Sequence, residues 1–209
     1  MMKINKISEK RALKQLEALK NEIPLIRLAG ERWETPFQTL ISIILSARTR
    51  DEITIKVCKN LFDNFPTVEK LSKAKLKKIE KLINPINFYH NKSKNILNCT
   101  KEIIKRFDSK VPKNFEELIS LPGVGRKTAN VFLSEFNHDA IGVDTHVNYI
   151  SNYLKWVNSK KPEIVEESLK ELFPKKIWSE INPILVRFGK THTSKIKKND
   201  LLDKIKKIR

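Results

Sequence analysis

The stretch FEELISLPGVGRKTANVFLSEF, residues 115–136, predicts two helices joined by a tight turn. The turn contains Pro122, Gly123 and Gly125, and the second helix is expected over residues 126–136. Glycine lets the backbone adopt a positive φ and approach a ligand with no Cβ in the way. Two glycines separated by one residue therefore indicate a helical hairpin whose turn can come close to a ligand.

The start of the second hairpin helix has the properties of a phosphate-binding site. Backbone N–H groups point outward at a helix N-terminus, and the helix dipole favours an anion there. Arg126 and Lys127 follow the turn at once, which favours phosphate binding over an ordinary helix corner capped by glycine. The turn carbonyls would also suit a monovalent cation that bridges to the phosphate. The residues expected to contact DNA here are Leu121, Gly123, Val124, Gly125, Arg126 and Thr128.

The remainder of the chain also has helical patterns. Thr35, Pro36 and Gln38 form a capping box with a first-turn proline, and the helix they open, through Leu45, is apolar on most sides and should be central. A further helix is predicted near the N-terminus, another over 51–65 with Asp51 as its N-cap, and a short one that starts at 67. An amphipathic tail is predicted from 199. Apolar spacing predicts the remaining helices over 75–82, 92–107, 114–120, 144–154, 162–173 and 176–188. The strand candidate at 140–143 is too short to matter, so the sequence predicts an all-α fold.

Charge and cysteine content restrict the class of protein. Lys and Arg outnumber Asp and Glu by 42 to 24, and the formal charge of +18 predicts binding to a polyanion, nucleic acid above all. The alternative is a biased base composition of the genome. Cys58 and Cys99 form no C-x-x-C pair, so we expect buried free thiols and no zinc-ribbon or iron–sulfur spacing. With no signal peptide and no apolar run of membrane-spanning length, we expect a soluble, intracellular monomer.

Two motifs in a fixed order point to a known family. LPGVGRKTANVFL, residues 121–133, is followed by VDTH, residues 143–146. Together they resemble the endonuclease III family of DNA glycosylases, in the helix-hairpin-helix glycosylase superfamily. LISIILSARTRD, residues 40–51, and INFYHNKSKNI, residues 86–96, sit where that family has comparable segments. The resemblance covers residues 36–153 well, and the flanks only as helices.

The resemblance implies an all-α, two-lobed helix-hairpin-helix DNA glycosylase fold with the DNA cleft between the lobes. Residues 30–139 would form a barrel-like helical lobe with the hairpin at 115–136. Residues 1–29 and 140–209 would form the second helical lobe, which carries the catalytic aspartate. The implied partner is double-stranded DNA that contains a damaged base or an abasic site, so we expect the protein in the cytoplasm, at the nucleoid.

The resemblance also assigns the catalytic pair. Lys127 matches the family's nucleophilic lysine, and Asp144, within VDTH, matches its catalytic aspartate. A carboxylate stabilises the electron-poor sugar carbon as the base departs, and an amine that attacks this carbon forms a Schiff base. We expect burial and the positive start of its helix to favour the neutral amine of Lys127. Asp144 is expected at a helix N-terminus, where N–H donors favour a carboxylate. The alternatives are a phosphate-binding lysine and a plain N-cap.

Three further residues are candidates for opening and holding the duplex. Arg48 lies where the family inserts a glutamine, and Phe88 matches a bulky wedge residue that is usually leucine. The alternatives are a phosphate contact for Arg48 and core packing for Phe88. His146 is expected to contact the DNA backbone or to pack behind Asp144. Tyr149 and Tyr153 stand where the family often has arginine.

The C-terminal region departs from the family. Most relatives end in four cysteines that bind a [4Fe–4S] cluster, whereas residues 187–209 contain none. We therefore expect no iron–sulfur cluster, and a basic tail that docks through Leu201, Leu202 and Ile205; a frayed terminus is the alternative. The expected activity is a glycosylase and β-eliminating lyase for oxidised pyrimidines. The alternatives are a purine-directed or monofunctional mismatch glycosylase, and a non-catalytic helix-hairpin-helix DNA-binding protein.

Overall fold

The computed structural model describes residues 7–209, and over this range it contains α-helices, one short 3-10 helix and no strand. The predicted all-α fold is confirmed, and residues 140–143 form an extended loop. The helices are α1 (Glu9–Asn21), α2 (Pro36–Ser46), α3 (Asp51–Asn64), α4 (Val68–Ser72), α5 (Leu76–Ile83), α6 (Tyr89–Phe107), α7 (Phe115–Ile119), α8 (Arg126–Glu135), α9 (Thr145–Tyr153), α10 (Pro162–Leu172), α11 (Trp178–Thr191) and α12 (Lys195–Lys206).

The chain divides into two compact units. Arg27–His138 form the first, here called the hairpin unit because it contains α2 to α8. The described residues before Arg27 and the segment Asp139–Arg209 form the second, here called the terminal unit. No helix in the described range is long and apolar enough to cross a membrane.

The hairpin unit is built around α2. Every residue from Phe37 to Leu45 is buried, and α2 packs against α3, α6 and α8. Both halves of the predicted capping box are present: Thr35 Oγ1 accepts from Gln38 N at 3.2 Å, and Gln38 Oε1 accepts from Thr35 N at 3.2 Å. The central position of this helix is therefore confirmed. A helix that is apolar all round needs partners on every side, and the three neighbouring helices supply them.

Two helix starts in this unit differ from the prediction. Asp51 is the first residue of α3 and not its cap, which is Arg50; the Asp51 carboxylate instead accepts from the backbone N–H of Ala29 at 3.3 Å. Helix α6 begins at Tyr89, three residues before the predicted start at Lys92. Its first turn is polar, so the apolar stripe that predicts a helix becomes visible only later in the sequence.

In the terminal unit, α11 packs against both α1 and α9. It spans Trp178–Thr191 with Pro183 inside it, and the predicted start at Lys176 falls in the 3-10 helix Lys175–Ile177 that precedes it.

The C-terminal tail is a docked helix, so the alternative of a frayed terminus is wrong. Helix α12 begins four residues before the predicted Asn199, and Leu202 and Ile205 are buried, while Leu201 is only half-buried. Arg11 of α1 donates to the carbonyls of Lys206 and Ile208 at 2.6 and 2.8 Å. The exposed carbonyls at the end of a helix need such donors, and α1 provides them.

Candidate active site and DNA interface

The two hairpin glycines have different structural roles. Gly123 has a φ of +82°, and a Cβ built there would lie 2.9 Å from the Cβ of Asn95 on α6. Gly125 is the N-cap of α8 with a φ of −98°, and a Cβ there would meet nothing within 4 Å. Gly123 is therefore required by the backbone and by packing against α6. Gly125 leaves the space in front of α8 open.

The other turn residues divide into a buried and an exposed set. Leu121 and Val124 are buried, and Val124 N donates to Leu121 O at 3.1 Å. Their side chains anchor the turn in the core and are not available to a ligand. Gly123, Gly125, Arg126 and Lys127 are exposed and Thr128 is half-buried. Helix α8 begins without a side-chain cap, as expected of a helix start that receives an anion.

Lys127 is exposed, so the expectation that this chain buries it is wrong. It is the second residue of α8, and the burial of that helix begins only at Ala129, after which every residue to Ser134 is buried. The lysine lies in the exposed first turn of the helix, two residues after Gly125.

Asp144 is the N-cap of α9, as predicted. Its Oδ1 accepts from the backbone N–H groups of His146 and Val147 at 2.8 and 2.9 Å, and its side chain is half-buried. Two N–H donors at the positive end of a helix stabilise a carboxylate and hold it in one rotamer. Asp144 therefore has a fixed orientation within the terminal unit.

His146 packs within the terminal unit. Its imidazole lies against Gly189 in the middle of α11, where an added Cβ would stand 2.6 Å from the ring Cγ. The absence of a side chain at Gly189 is what makes room for the ring. This contact fixes the first turn of α9, where Asp144 is the cap.

Arg48 and Phe88 are brought together in the hairpin unit. The guanidinium of Arg48 lies over the Phe88 ring at 5.7 Å from its centroid. Phe88 is 59% exposed, so the alternative of core packing is wrong. Both residues have positive φ, +57° and +60°. Such a conformation costs residues with a Cβ about 1–3 kcal/mol each, so the surrounding structure must hold them in place.

Lys92 is the residue in this region that sequence reasoning missed. Its side chain is buried, and its Nζ donates to Leu45 O at 2.8 Å, to Ala47 O at 2.5 Å and to Thr49 Oγ1 at 3.5 Å. Burial lowers the pKa of Lys92 to about 8, so the amine is mainly charged at neutral pH. Three oxygens around the α2–α3 turn therefore share one buried ammonium group.

A signal for Lys92 is present in the sequence. Lys92 stands four, seven and eleven residues before Ile96, Cys99 and Ile103, all buried on α6. A lysine on an apolar stripe indicates either that the helix is wrongly assigned or that the lysine is buried and its charge has polar partners. The partners lie more than 40 residues away in the chain, so the stripe alone predicts the burial and not its purpose.

Both cysteines are buried free thiols, as expected, Cys58 on α3 and Cys99 on α6. Burial raises the pKa of each thiol to about 12. Within residues 7–209 there is no group of three or more His, Cys, Asp or Glu side chains that could hold a metal ion.

Comparison with known proteins agrees with this geometry. Residues 41–175 match the HhH-GPD superfamily base excision DNA repair protein family. The endonuclease III of Thermotoga maritima is 44% identical over 177 residues, which is 84% of this chain and 83% of the relative. That of Synechocystis is 38% identical over 160 residues, 76% and 73% of the two chains. A trapped endonuclease III–DNA covalent intermediate superposes with a TM-score of 0.82 at 33% identity, covering 90% of this chain and 89% of that one.

The chain belongs to the HhH-GPD superfamily of base excision DNA repair proteins and, within it, to the endonuclease III family. The expected enzyme class, a DNA glycosylase with AP lyase activity that acts on double-stranded DNA, is confirmed at this level. Within this class, Lys127, Arg48 and Phe88 lie in the hairpin unit, and Asp144 and His146 lie in the terminal unit.

The contrast between the hairpin glycines predicts separable effects. Gly123→Ala should lower the free energy of unfolding by about 1–3 kcal/mol, because it places a Cβ at positive φ and against Asn95. Gly125→Ala should lower it by less than about 1 kcal/mol, yet weaken DNA binding, because its Cβ enters the space where the backbone of α8 meets a phosphate. Urea unfolding and fluorescence anisotropy with a DNA duplex measure the two effects. Equal loss of stability in both variants would contradict the assignment.

The contact between Gly189 and His146 predicts a coupled pair. Gly189→Ala should lower the free energy of unfolding by about 1–3 kcal/mol, because the new methyl group overlaps the imidazole. In a His146→Ala background the same change should raise stability by about 0.5–1 kcal/mol, because alanine is the better helix residue. A double-mutant cycle by urea unfolding gives both values. Additive effects of the two substitutions would show that the ring does not occupy this space.

Proposed function

We propose that Lys127 and Asp144 carry out base removal and strand cleavage in this enzyme, and that its substrates are oxidised or ring-damaged pyrimidines. The observation that carries the proposal is the position of Lys127. It is an exposed amine at the uncapped start of α8, next to the open space in front of Gly125. A relative trapped as a covalent intermediate with DNA supports a nucleophile in a member of this family.

In the proposed reaction, the bond from C1′ of the deoxyribose to the damaged base breaks, and its electron pair leaves with the base, which takes up a proton. Asp144 stabilises the electron-poor C1′ with its carboxylate. The Nζ of Lys127 bonds to C1′ and loses a proton, and opening of the sugar ring gives a Schiff base. Loss of a proton from C2′ then breaks the C3′–O bond and cleaves the strand. Water releases Lys127.

The exposure of Lys127 affects when this chemistry begins. The free chain leaves the amine in solvent, so the neutral form that attacks is not favoured by protein burial. We propose that bound DNA excludes water from the amine and so supplies the missing desolvation. The reaction then depends on a flipped-out nucleotide that covers the lysine.

We propose that the hairpin holds the DNA backbone and that Arg48 and Phe88 open the duplex. Backbone N–H groups at the start of α8, with Arg126 beside them, would bind a phosphate without regard to base sequence. A monovalent cation on the turn carbonyls would add to that contact. The formal charge of +18 supports binding along the backbone and work at the nucleoid. The exposed Phe88 would act as a wedge, and Arg48 would fill the vacated space beside the orphan base.

We infer that the enzyme works without an iron–sulfur cluster. A [4Fe–4S] cluster needs four thiolates, and the sequence has two cysteines. Burial raises the pKa of Cys58 and Cys99 to about 12, which keeps both as thiols. The residues present therefore do not fit the cluster. The C-terminal region of this chain forms α12, which is held by hydrogen bonds to α1.

Borohydride trapping on duplexes with different lesions tests the catalytic pair. The wild-type enzyme should give a stable protein–DNA adduct with an oxidised pyrimidine, because borohydride reduces a lysine Schiff base. Lys127→Gln should abolish the adduct and strand cleavage. Asp144→Asn should slow base removal by about 100-fold or more, because a carboxylate that acts only in the transition state is lost. Lys113→Gln, an exposed lysine with the same charge change, is the matched control.

Each alternative gives a different result in the same experiment. Base removal by the wild type without any adduct would indicate a monofunctional glycosylase, and activity confined to purine lesions would contradict the substrate proposal. An adduct that persists in Lys127→Gln would place the nucleophile elsewhere. Absence of activity on every lesion, with DNA binding merely weakened by both variants, would indicate a non-catalytic DNA-binding protein.

The absence of a cluster predicts a simple analytical result. Protein purified without oxygen should contain no stoichiometric iron or acid-labile sulfide, and it should keep full glycosylase and lyase activity after treatment with an iron chelator. Elemental analysis and a trapping assay before and after chelation provide the measurement. Iron at about four atoms per chain, with activity that falls as it is removed, would overturn the inference.

A further inference from the structure

We propose that Lys92 is a positioning residue that presets Arg48 and Phe88 for insertion into the duplex, because its buried ammonium group binds the backbone on both sides of Arg48. The inference rests on the proposed role of Arg48 and Phe88 in opening DNA. It assigns to Lys92 no contact with DNA or with the reacting atoms.

The location of Lys92 is explained by α2 and not by its own helix. Lys92 lies in the first turn of α6, where a positive charge opposes the helix dipole. Its Nζ reaches instead to the C-terminal end of α2, to the carbonyls of Leu45 and Ala47. The last carbonyls of a helix lack partners within the helix and carry partial negative charge, so a cation there is favourable. Lys92 therefore caps α2 from a distance of more than 40 residues in sequence.

The same amine controls the turn that carries Arg48. Ala47, whose carbonyl accepts from Lys92 at 2.5 Å, precedes Arg48, and Thr49, whose hydroxyl lies 3.5 Å from the amine, follows it. The residue with positive φ is thus fixed on both sides by one buried donor. An apolar side chain in place of Lys92 would remove this donor from the carbonyls of Leu45 and Ala47. Because Lys92 is buried, the loss of its hydrogen bonds should destabilise the turn.

A second set of hydrogen bonds extends this control to Phe88. The backbone N–H of Asn87 donates to Thr49 Oγ1 at 3.2 Å, and its side-chain amide donates to the carbonyl of Arg48 at 2.5 Å. Phe88 is the next residue, and its ring lies under the Arg48 guanidinium. The turns that carry Arg48 and Phe88 are therefore joined into one unit before DNA binds. A preset wedge loses less conformational entropy on insertion than two mobile loops would.

This arrangement predicts which steps depend on Lys92. Removal of a base from duplex DNA requires that the base leave the stack, so it needs Arg48 and Phe88 in place. Cleavage at an abasic site in single-stranded DNA has no base to flip and no gap to fill. Loss of Lys92 should therefore slow the first reaction and spare the second, because Lys127 and the hairpin turn are not among the contacts of Lys92.

The test compares Lys92→Met with Lys94→Met, an exposed lysine two residues further along α6. Single-turnover rates are measured for excision of an oxidised pyrimidine from a duplex and for β-elimination at an abasic site in a single-stranded oligonucleotide. Lys92→Met should slow excision about 10- to 100-fold, the usual effect of a displaced positioning group, and change single-strand cleavage by no more than about twofold. Lys94→Met should leave both rates unchanged.

A direct measure of base opening accompanies the rates. A duplex with 2-aminopurine beside the lesion should brighten on mixing with the wild-type enzyme as stacking is lost, and Lys92→Met should slow or reduce this change. If Lys92→Met fails to fold, Asn87→Ala provides the second variant. The side chain of Asn87 is exposed, so the substitution removes the hydrogen bond to the Arg48 carbonyl without creating a cavity in the core. The same selective loss, smaller in size, is expected.

Three results would overturn the proposal. The first is an unchanged excision rate in a folded Lys92→Met enzyme. The second is an equal loss of excision and single-strand cleavage, which would indicate general damage to the fold. The third is normal 2-aminopurine opening with slow excision, which would place the defect after base flipping. Failure of the proposed function is distinguishable from these, because the wild type would then give no excision and no trapped adduct.

Discussion

The contact between Gly123 and Asn95 determines how the hairpin unit is arranged. Gly123 has no side chain, and a Cβ there would come within 2.9 Å of the Cβ of Asn95 on α6, closer than such atoms can pack. The hairpin turn therefore rests directly on the second turn of α6. Lys92 stands one helical turn before Asn95, and Phe88 is the N-cap of the same helix. One rigid helix thus sets the distance between the turn proposed to bind phosphate and the residues proposed to open the duplex.

The terminal unit fixes Asp144 by a different set of contacts. The carboxylate caps α9, and α9 is held on one side by the packing of His146 against Gly189. On another side α12 is bound through two tyrosines: Tyr149 Oη donates to Asn199 Oδ1 at 2.5 Å, and Tyr153 Oη donates to Asp203 at 3.0 Å. The two tyrosines thus connect α9 to α12.

How much the sequence predicts depends on whether the signal is local. The capping box at Thr35, the hairpin and the N-cap role of Asp144 follow from short-range chemistry within a few residues, and the structure contains all three. Lys92 could not be assigned a role, because its partners come from another helix. The predicted starts of α6 and α12 lie too late in the sequence, because the first turns of both helices are polar and show no apolar spacing.

The burial expected of Lys127 failed for a more informative reason. Surrounding apolar side chains can keep a buried lysine neutral, but Lys127 lies in the first turn of α8, before the buried part of the helix begins, and is left in solvent. If bound DNA provides the desolvation, as proposed, the neutral amine is favoured when a nucleotide occupies the site, and selectivity is coupled to base flipping. The protein then needs a rigid hairpin and a preset wedge more than it needs a preformed buried pocket for the amine, and α6 connects these two features.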